Sequence, residues 1–167
     1  GSMRLFRFGD AGQERPGAVL PDGDRIDCNA LGEDWNEQFF GSGGLSRLAS
    51  WLETDGSRAP RVASGVRIGP PVARPSKIVC IGLNYRDHAA ETGAELPAEP
   101  VIFFKSTTAI VGPDDDVILP PESTKSDWEV ELAVVVGATL SHADRQTAAN
   151  GIAGYCLHND LSEREFQ

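Results

Sequence analysis

The stretch Asp127-Trp128-Glu129-Val130-Glu131-Leu132-Ala133-Val134-Val135-Val136 decides how this chain is read. Its second half is a run of β-branched and aliphatic residues, which predicts a buried strand. Side chains alternate along a strand, so Glu129 and Glu131 face the same way, about 6.5–7 Å apart along the chain. Two carboxylates at the head of an apolar strand repel each other and lose hydration. A hard divalent cation between them offsets that cost. The pair also reads as the wet end of an edge strand, with both acids in water. The segment by itself leaves both readings open.

A second apolar run, Gly154-Tyr155-Cys156-Leu157-His158-Asn159, predicts another strand and leads into Asp160. If the two strands are neighbours, Asp160 completes a carboxylate set with Glu129 and Glu131. Three oxygen ligands suit Mg²⁺, Mn²⁺ or Ca²⁺ rather than Zn²⁺. Asp160 has a plainer reading as the cap of a following helix, because Ser162 and Glu165 have capping-box spacing over Ser162–Gln167.

Between residues 74 and 167, strands are also expected at Lys77–Gly82, Val101–Phe104 and Asp116–Pro120, with helical turns at Asn84–Thr92 and Asp144–Asn150. In the first part of the chain, Leu5–Phe8 and Ala18–Leu20 read as strands. Pro21-Asp22-Gly23-Asp24 is a hairpin signal. Leu45, Leu48, Trp51 and Leu52 recur at helical spacing. Residues 67–75 hold three prolines and read as an extended connector. Many short strands with Gly and Pro turns predict a β-rich α+β fold. The domain reading is a small α+β cap at residues 1–73, followed by a second domain at 74–167.

At 167 residues there is room for one full domain, or a small one plus part of another. The net charge of −10 argues against nucleic acid or an anionic membrane as partner. No apolar run is long enough to span a membrane. Gly1-Ser2-Met3 reads as an expression scar before a native start, with no signal peptide. Cys28, Cys80 and Cys156 have neither zinc nor redox spacing, and Cys80 and Cys156 are expected in the core. The compartment expected from these features is the cytosol.

His88 and Glu91 lie three apart, on one face if the segment is helical. A carboxylate beside an imidazole orients the ring and raises its basicity, as a general base requires. A surface His–Glu pair is the plainer alternative. Lys105, at a strand end, could hold a substrate carboxylate or be solvated. Asp114-Asp115-Asp116 lacks the pattern of an EF-hand and reads as a solvated turn. His142 and His158 have no partner pattern.

Four segments together resemble the fumarylacetoacetate hydrolase family: Ile81–Glu91, Pro100–Ser106, Asp127–Leu132 and Gly154–Arg164. They occur in the family's order, and the resemblance covers about Pro75 to Gln167. It is nearest to sugar-acid members that cleave 2,4-diketo-3-deoxy acids, some labelled ureidoglycolate lyase. The resemblance implies a β-roll-like catalytic domain, usually in a homodimer, with a divalent metal at its mouth. By motif, Glu129, Glu131 and Asp160 fall on the metal ligands, and His88 and Glu91 on a water-activating dyad. Gln167 falls where a glutamine can touch substrate, while Tyr85 and Lys105 lie in substrate-binding segments. The family continues beyond this point, including a Gly-Lys segment. The chain therefore looks C-terminally incomplete, and residues 74–167 are expected to be the leading part of the catalytic domain.

What the resemblance implies for activity is Mg²⁺-, Mn²⁺- or Ca²⁺-assisted cleavage of a C–C bond in a small 2,4-diketo acid, releasing pyruvate. Decarboxylation or tautomerisation of an oxo-acid, or ureidoglycolate cleavage, are alternatives at the same site. A non-catalytic scaffold remnant is an alternative of another class, and retention of all five acid and dyad residues speaks against it.

Overall fold

Short apolar segments broken by tight turns pair with their neighbours, and every paired strand here runs antiparallel to its partner. The computed structural model describes residues 2–93, 95 and 98–167, with no side chain described at His88. In chain order the elements are β1 (Arg4–Phe8), β2 (Arg15–Val19), β3 (Arg25–Asp27), α1 (Glu37–Gly41), α2 (Gly44–Asp55) and β4 (Ile68–Gly69). There follow β5 (Ile78–Gly82), α3 (Arg86–Glu91), β6 (Val101–Lys105), β7 (Ser126–Asp127), β8 (Val130–Val136), α4 (Arg145–Asn150), β9 (Ile152–Asn159) and β10 (Ser162–Glu163). The architecture is mixed α+β and rich in strands.

The chain divides into two compact units, one of Gly1–Ala73 with Val111–Gln167, the other of Arg74–Ile110. In the first, β3-β2-β1-β4 form a four-stranded sheet. The expected hairpin is present between β2 and β3, where Gly23 takes φ +94° and its N–H donates to Leu20 O at 2.8 Å. That left-handed backbone is why glycine stands there. The expected helix is α2. Its Leu48 is buried with Ala18, Ile26, Cys28, Trp35 and Phe39 in the core of this part. The Asn36 side chain caps α1 by accepting from Phe39 N at 2.9 Å. Trp35 is fully buried, and its indole N–H donates to Phe6 O and Gly17 O at 2.9 and 3.0 Å. Burial pushes the Cys28 thiol up to about 12, with Asp27 adding to the shift, so it stays a protonated core residue.

The remainder of the first unit carries a long hairpin and a short clip. β8 pairs with β9 from Val130↔Asn159 to Val136↔Ile152, with α4 between the two strands in sequence. α4 starts at the Asp144 side chain, which accepts from Thr147 N at 2.7 Å. β7 pairs with β10. The second unit holds the antiparallel β5–β6 pair and α3.

Several expectations are corrected. β8 is a strand but not a buried one: Val130, Leu132, Val134 and Val136 are exposed, with Tyr155 and Leu157 opposite them. β5 likewise buries only Cys80, leaving Val79 and Ile81 exposed. An apolar run predicts a strand, but its burial depends on what covers each face. Residues 116–120 form no strand, and Pro120 and Pro121 cannot donate to a ladder. Ser162–Gln167 begins as a strand rather than a capped helix. Cys80 is buried as expected, whereas Cys156 is only half-buried.

The acidic turn at residues 114–116 is more than solvated. Asp115 takes a forked ion pair from Arg67, Nε–Oδ1 at 2.7 Å and Nη2–Oδ2 at 2.5 Å, and also accepts from Gly112 N. Arg67 also pairs with Glu14, and Arg7 with Glu14 and Asp34, so the acids of this region are neutralised in place. The Arg67 bonds, reinforced by the Gly112 amide, hold the Asp115 carboxyl at about 2.

Two outcomes follow from this packing. Leu48→Ala should lower unfolding free energy by about 2–5 kcal/mol, read from the midpoint of chemical denaturation. The Asp115 carboxyl is depressed on folding, so its stabilisation is present above the ordinary value of 3.8 and disappears as pH falls toward about 2. Denaturation midpoints between pH 5 and 2 should therefore fall less steeply for Asp115→Asn than for the native sequence.

Candidate metal centre

The strand pairing brings the acids together. Asp160 N donates to Glu129 O at 2.9 Å, carrying the β8–β9 pairing one step beyond Val130↔Asn159. The Asn159 side chain also accepts from Glu129 N at 3.1 Å. Glu129, Glu131 and Asp160 each offer a carboxylate oxygen, and these oxygens lie within 4.8 Å of one another. Asp160 is 3% exposed, and the two glutamates are half-buried.

This donor set fits a hard divalent cation. It is built of oxygen alone, it converges, and one member is removed from water. Glu129, Glu131 and Asp160 are the residues that would hold the ion. A polar cleft of about 580 Å³ lies elsewhere, beside Glu14, Glu33 and Asp34. Its acids are paired with Arg67, Arg47 and Arg7 and form no convergent oxygen set among the described residues, whereas the oxygens of the triad converge.

Among the described residues, Arg164 and His158 attend the triad, and neither contact is legible from spacing. Arg164 Nη1 reaches Glu129 Oε1 at 2.6 Å, while its Nε and Nη2 reach Asp127 Oδ2 at 3.3 and 3.1 Å. Partial burial works against the guanidinium charge, but the bonds to Glu129 and Asp127 outweigh it and raise the pKa. The Asp127 carboxyl is held below its usual range, first by the Trp128 amide and then by Arg164. On the other side, His158 Nδ1 lies 3.1 Å from Glu131 Oε2.

The segment that carries Arg164 is itself fixed. The Glu163 carboxylate accepts from Ser123 and Ser126, from Lys125 N at 3.3 Å and from Glu165 N at 3.0 Å. The Ser123 bond, then the Glu165 amide, hold this carboxyl below its usual range. Arg164 N also donates to Lys125 O at 2.9 Å. These bonds explain the strand after Asp160. The capping-box spacing of Ser162 and Glu165 goes unused: Ser162 Oγ donates to Asp160 O at 3.3 Å, Glu165 N donates to the Glu163 carboxylate, and Arg164 finds tertiary partners.

The other predicted residues fall as follows. Gln167 is exposed, and its Oε1 accepts from Arg164 Nη1 at 3.1 Å, which ties it to the triad through one guanidinium. Tyr85 is exposed just before α3, Glu91 is exposed at the end of α3, and Lys105 is half-buried at the end of β6. His88 lies in α3, but its side chain is outside the described residues, so its pairing with Glu91 stands as an expectation.

The family model described as the fumarylacetoacetate hydrolase C-terminal domain matches residues 77–167, more than half of the chain. The chain belongs to the fumarylacetoacetate hydrolase family. A protein of Burkholderia lata, provisionally named a hydrolase, is 46% identical over 165 residues, which is 99% of this chain and 57% of that protein. The solved fumarylacetoacetate hydrolase of Exiguobacterium antarcticum is 30% identical, with a TM-score of 0.80 over 99% of this chain and 58% of its own. Maleylpyruvate hydrolase of Sphingobium sp. SYK-6, solved with manganese(II) and pyruvate, is 28% identical, with a TM-score of 0.76 over 97% of this chain and 60% of its own. The chain thus has the fold of the family and spans a little over half the length of these relatives.

The triad makes a direct prediction. Glu129→Gln and Asp160→Asn should each abolish calorimetrically detectable Mn²⁺ binding while leaving the circular dichroism spectrum unchanged. Undiminished binding in both variants would place any cation elsewhere.

Proposed function

We propose that the protein carrying this chain is a divalent-metal-dependent hydrolase that cleaves a C–C bond in a 2,4-diketo acid and releases pyruvate. The observation that carries this reading is the convergence of Glu129, Glu131 and Asp160 on one oxygen-lined point. Pyruvate and manganese together in the Sphingobium relative support it. The acylpyruvate or diketo-deoxy sugar-acid class of substrate, the choice among Mg²⁺, Mn²⁺ and Ca²⁺, and a homodimeric assembly belong to the same proposal.

When bound, the cation would supply Lewis-acid polarisation of the substrate's oxygens. The chain's own residues would supply the rest. His88, oriented by Glu91, would take a proton from water onto its ring nitrogen, and the hydroxide would attack the distal carbonyl carbon. The C–C bond then breaks, and its electron pair leaves with the pyruvate fragment, which takes up a proton. Gln167, held by Arg164, and Tyr85 and Lys105 would contact the substrate.

A second reading has a specific observation in its favour. A δ-isomerase of 5-carboxymethyl-2-hydroxymuconate from Mycobacterium smegmatis, 28% identical, is related in fold with a TM-score of 0.67 over 99% of this chain and 57% of its own. Proton shuffling in an oxo-acid, without attack by water, would use the same carboxylates. An isomerase or decarboxylase would depend less on His88.

Pyruvate release from a panel of acylpyruvates and 2,4-diketo-3-deoxy acids, with and without Mg²⁺, separates the readings. The hydrolase reading expects metal-dependent pyruvate, and a loss of turnover of about 10²–10⁴-fold in His88→Ala with metal affinity retained. Full activity in His88→Ala would remove the dyad. No pyruvate from any member, with metal bound and oxaloacetate consumed, would favour the decarboxylase.

A further inference from the structure

Around the carboxylate site, the hairpin sets out a two-by-two arrangement of polar side chains. Glu131 and His158 are direct partners in the β8–β9 register. Glu129 and Asp160 make up the next pair, joined by the Asp160 N–H to Glu129 O bond. Three members are carboxylates whose oxygens converge, and the fourth is an imidazole outside that convergent set. Its Nδ1 instead meets Glu131 Oε2 at 3.1 Å. A carboxylate only accepts, so Nδ1–H is the donor.

A free glutamate has several rotatable bonds, and ordering it for a ligand costs conformational entropy. Each triad member has its own restraint. Asp160 is buried, Glu129 is held by Arg164, and Glu131 is held by His158. The His158 and Glu131 side chains are 31% and 25% exposed, so the contact is partly shielded from water. The imidazole engages one Glu131 oxygen, and a carboxylate so held still has a second oxygen to offer a cation.

We propose that His158 is a positioning residue of the carboxylate site: it fixes Glu131 from across the hairpin and thereby sets the affinity for a hard divalent cation. This rests on the metal-centre reading. It assigns His158 no contact with the ion or the substrate.

The test is a Mn²⁺ titration of the intact protein, followed by electron paramagnetic resonance, for the native sequence and for His158→Ala, His158→Phe and His158→Asn. Affinity should fall about 10–100-fold in the alanine and phenylalanine variants, the range for losing a partner that orients a ligand. Asparagine places an amide N–H close to the position of Nδ1 and should recover most of the loss. If alanine fails to fold, the phenylalanine–asparagine comparison decides alone, because recovery in phenylalanine but not asparagine would mean packing and overturn the proposal. Unchanged affinity in His158→Ala would also overturn it. So would a directly coordinated nitrogen in the pulsed spectrum of the native protein, lost in the variants, because His158 would then be a ligand. Absence of Mn²⁺ binding in the native protein would instead sink the metal-centre reading itself.

Discussion

Repulsion among three carboxylates is the constraint that organises the second half of this chain. Oxygens within 4.8 Å of one another interact unfavourably by about 3–4 kcal/mol per pair at an effective dielectric near 20, before solvent screening. Arg164 pairs with Glu129 and His158 contacts Glu131, and Asp160 has lost most of its water. The hairpin nevertheless holds the acids together through its backbone ladder, which ends at the bond from Asp160 N to Glu129 O. The arrangement makes physical sense as a seat for a cation, with the strand register as its frame.

The neighbouring segments serve that frame. Arg164 reaches the triad because β10 is clipped to β7, and that clip depends on the Glu163 carboxylate gathering the Ser123–Ser126 stretch. The same guanidinium carries Gln167. A proposed metal ligand, Glu129, and a proposed substrate contact, Gln167, therefore share one support. Displacing Arg164 would disturb both together, which separates it from a surface arginine that only balances charge.

Much of this was readable in advance, and the misses have physical causes. The common direction of Glu129 and Glu131 is legible because strand alternation is local. Asp160 was found only on the condition that two strands, remote in sequence, are neighbours, and they are. The partnership of Glu131 with His158 depends on the register between those strands, which no short window encodes. The capping-box spacing at Ser162 is a local pattern that tertiary bonds to Glu163 and Arg164 overrule. Burial was misjudged at β8 and β5 because an apolar run states a preference for cover and not whether cover is there. The acidic turn at Asp115 looked solvated because its partner, Arg67, lies 48 residues earlier.

That last pairing bears on how the chain can vary. Arg67 and Asp115 flank the unit Arg74–Ile110, and their ion pair pins the points where the chain leaves the first unit and returns to it. The intervening stretch is thus a loop whose two ends are joined by an ion pair within the first unit. Closure entropy grows only with the logarithm of loop length, about 0.6 kcal/mol for each doubling. Insertions and deletions between these two anchors should therefore be tolerated by the first unit far better than an equal change within Val130–Val136 or Ile152–Asn159, where every residue is counted by the register. In evolutionary terms, the clasp lets the length of the loop around the proposed dyad vary at little cost to the first unit's fold and leaves the acid-bearing hairpin fixed.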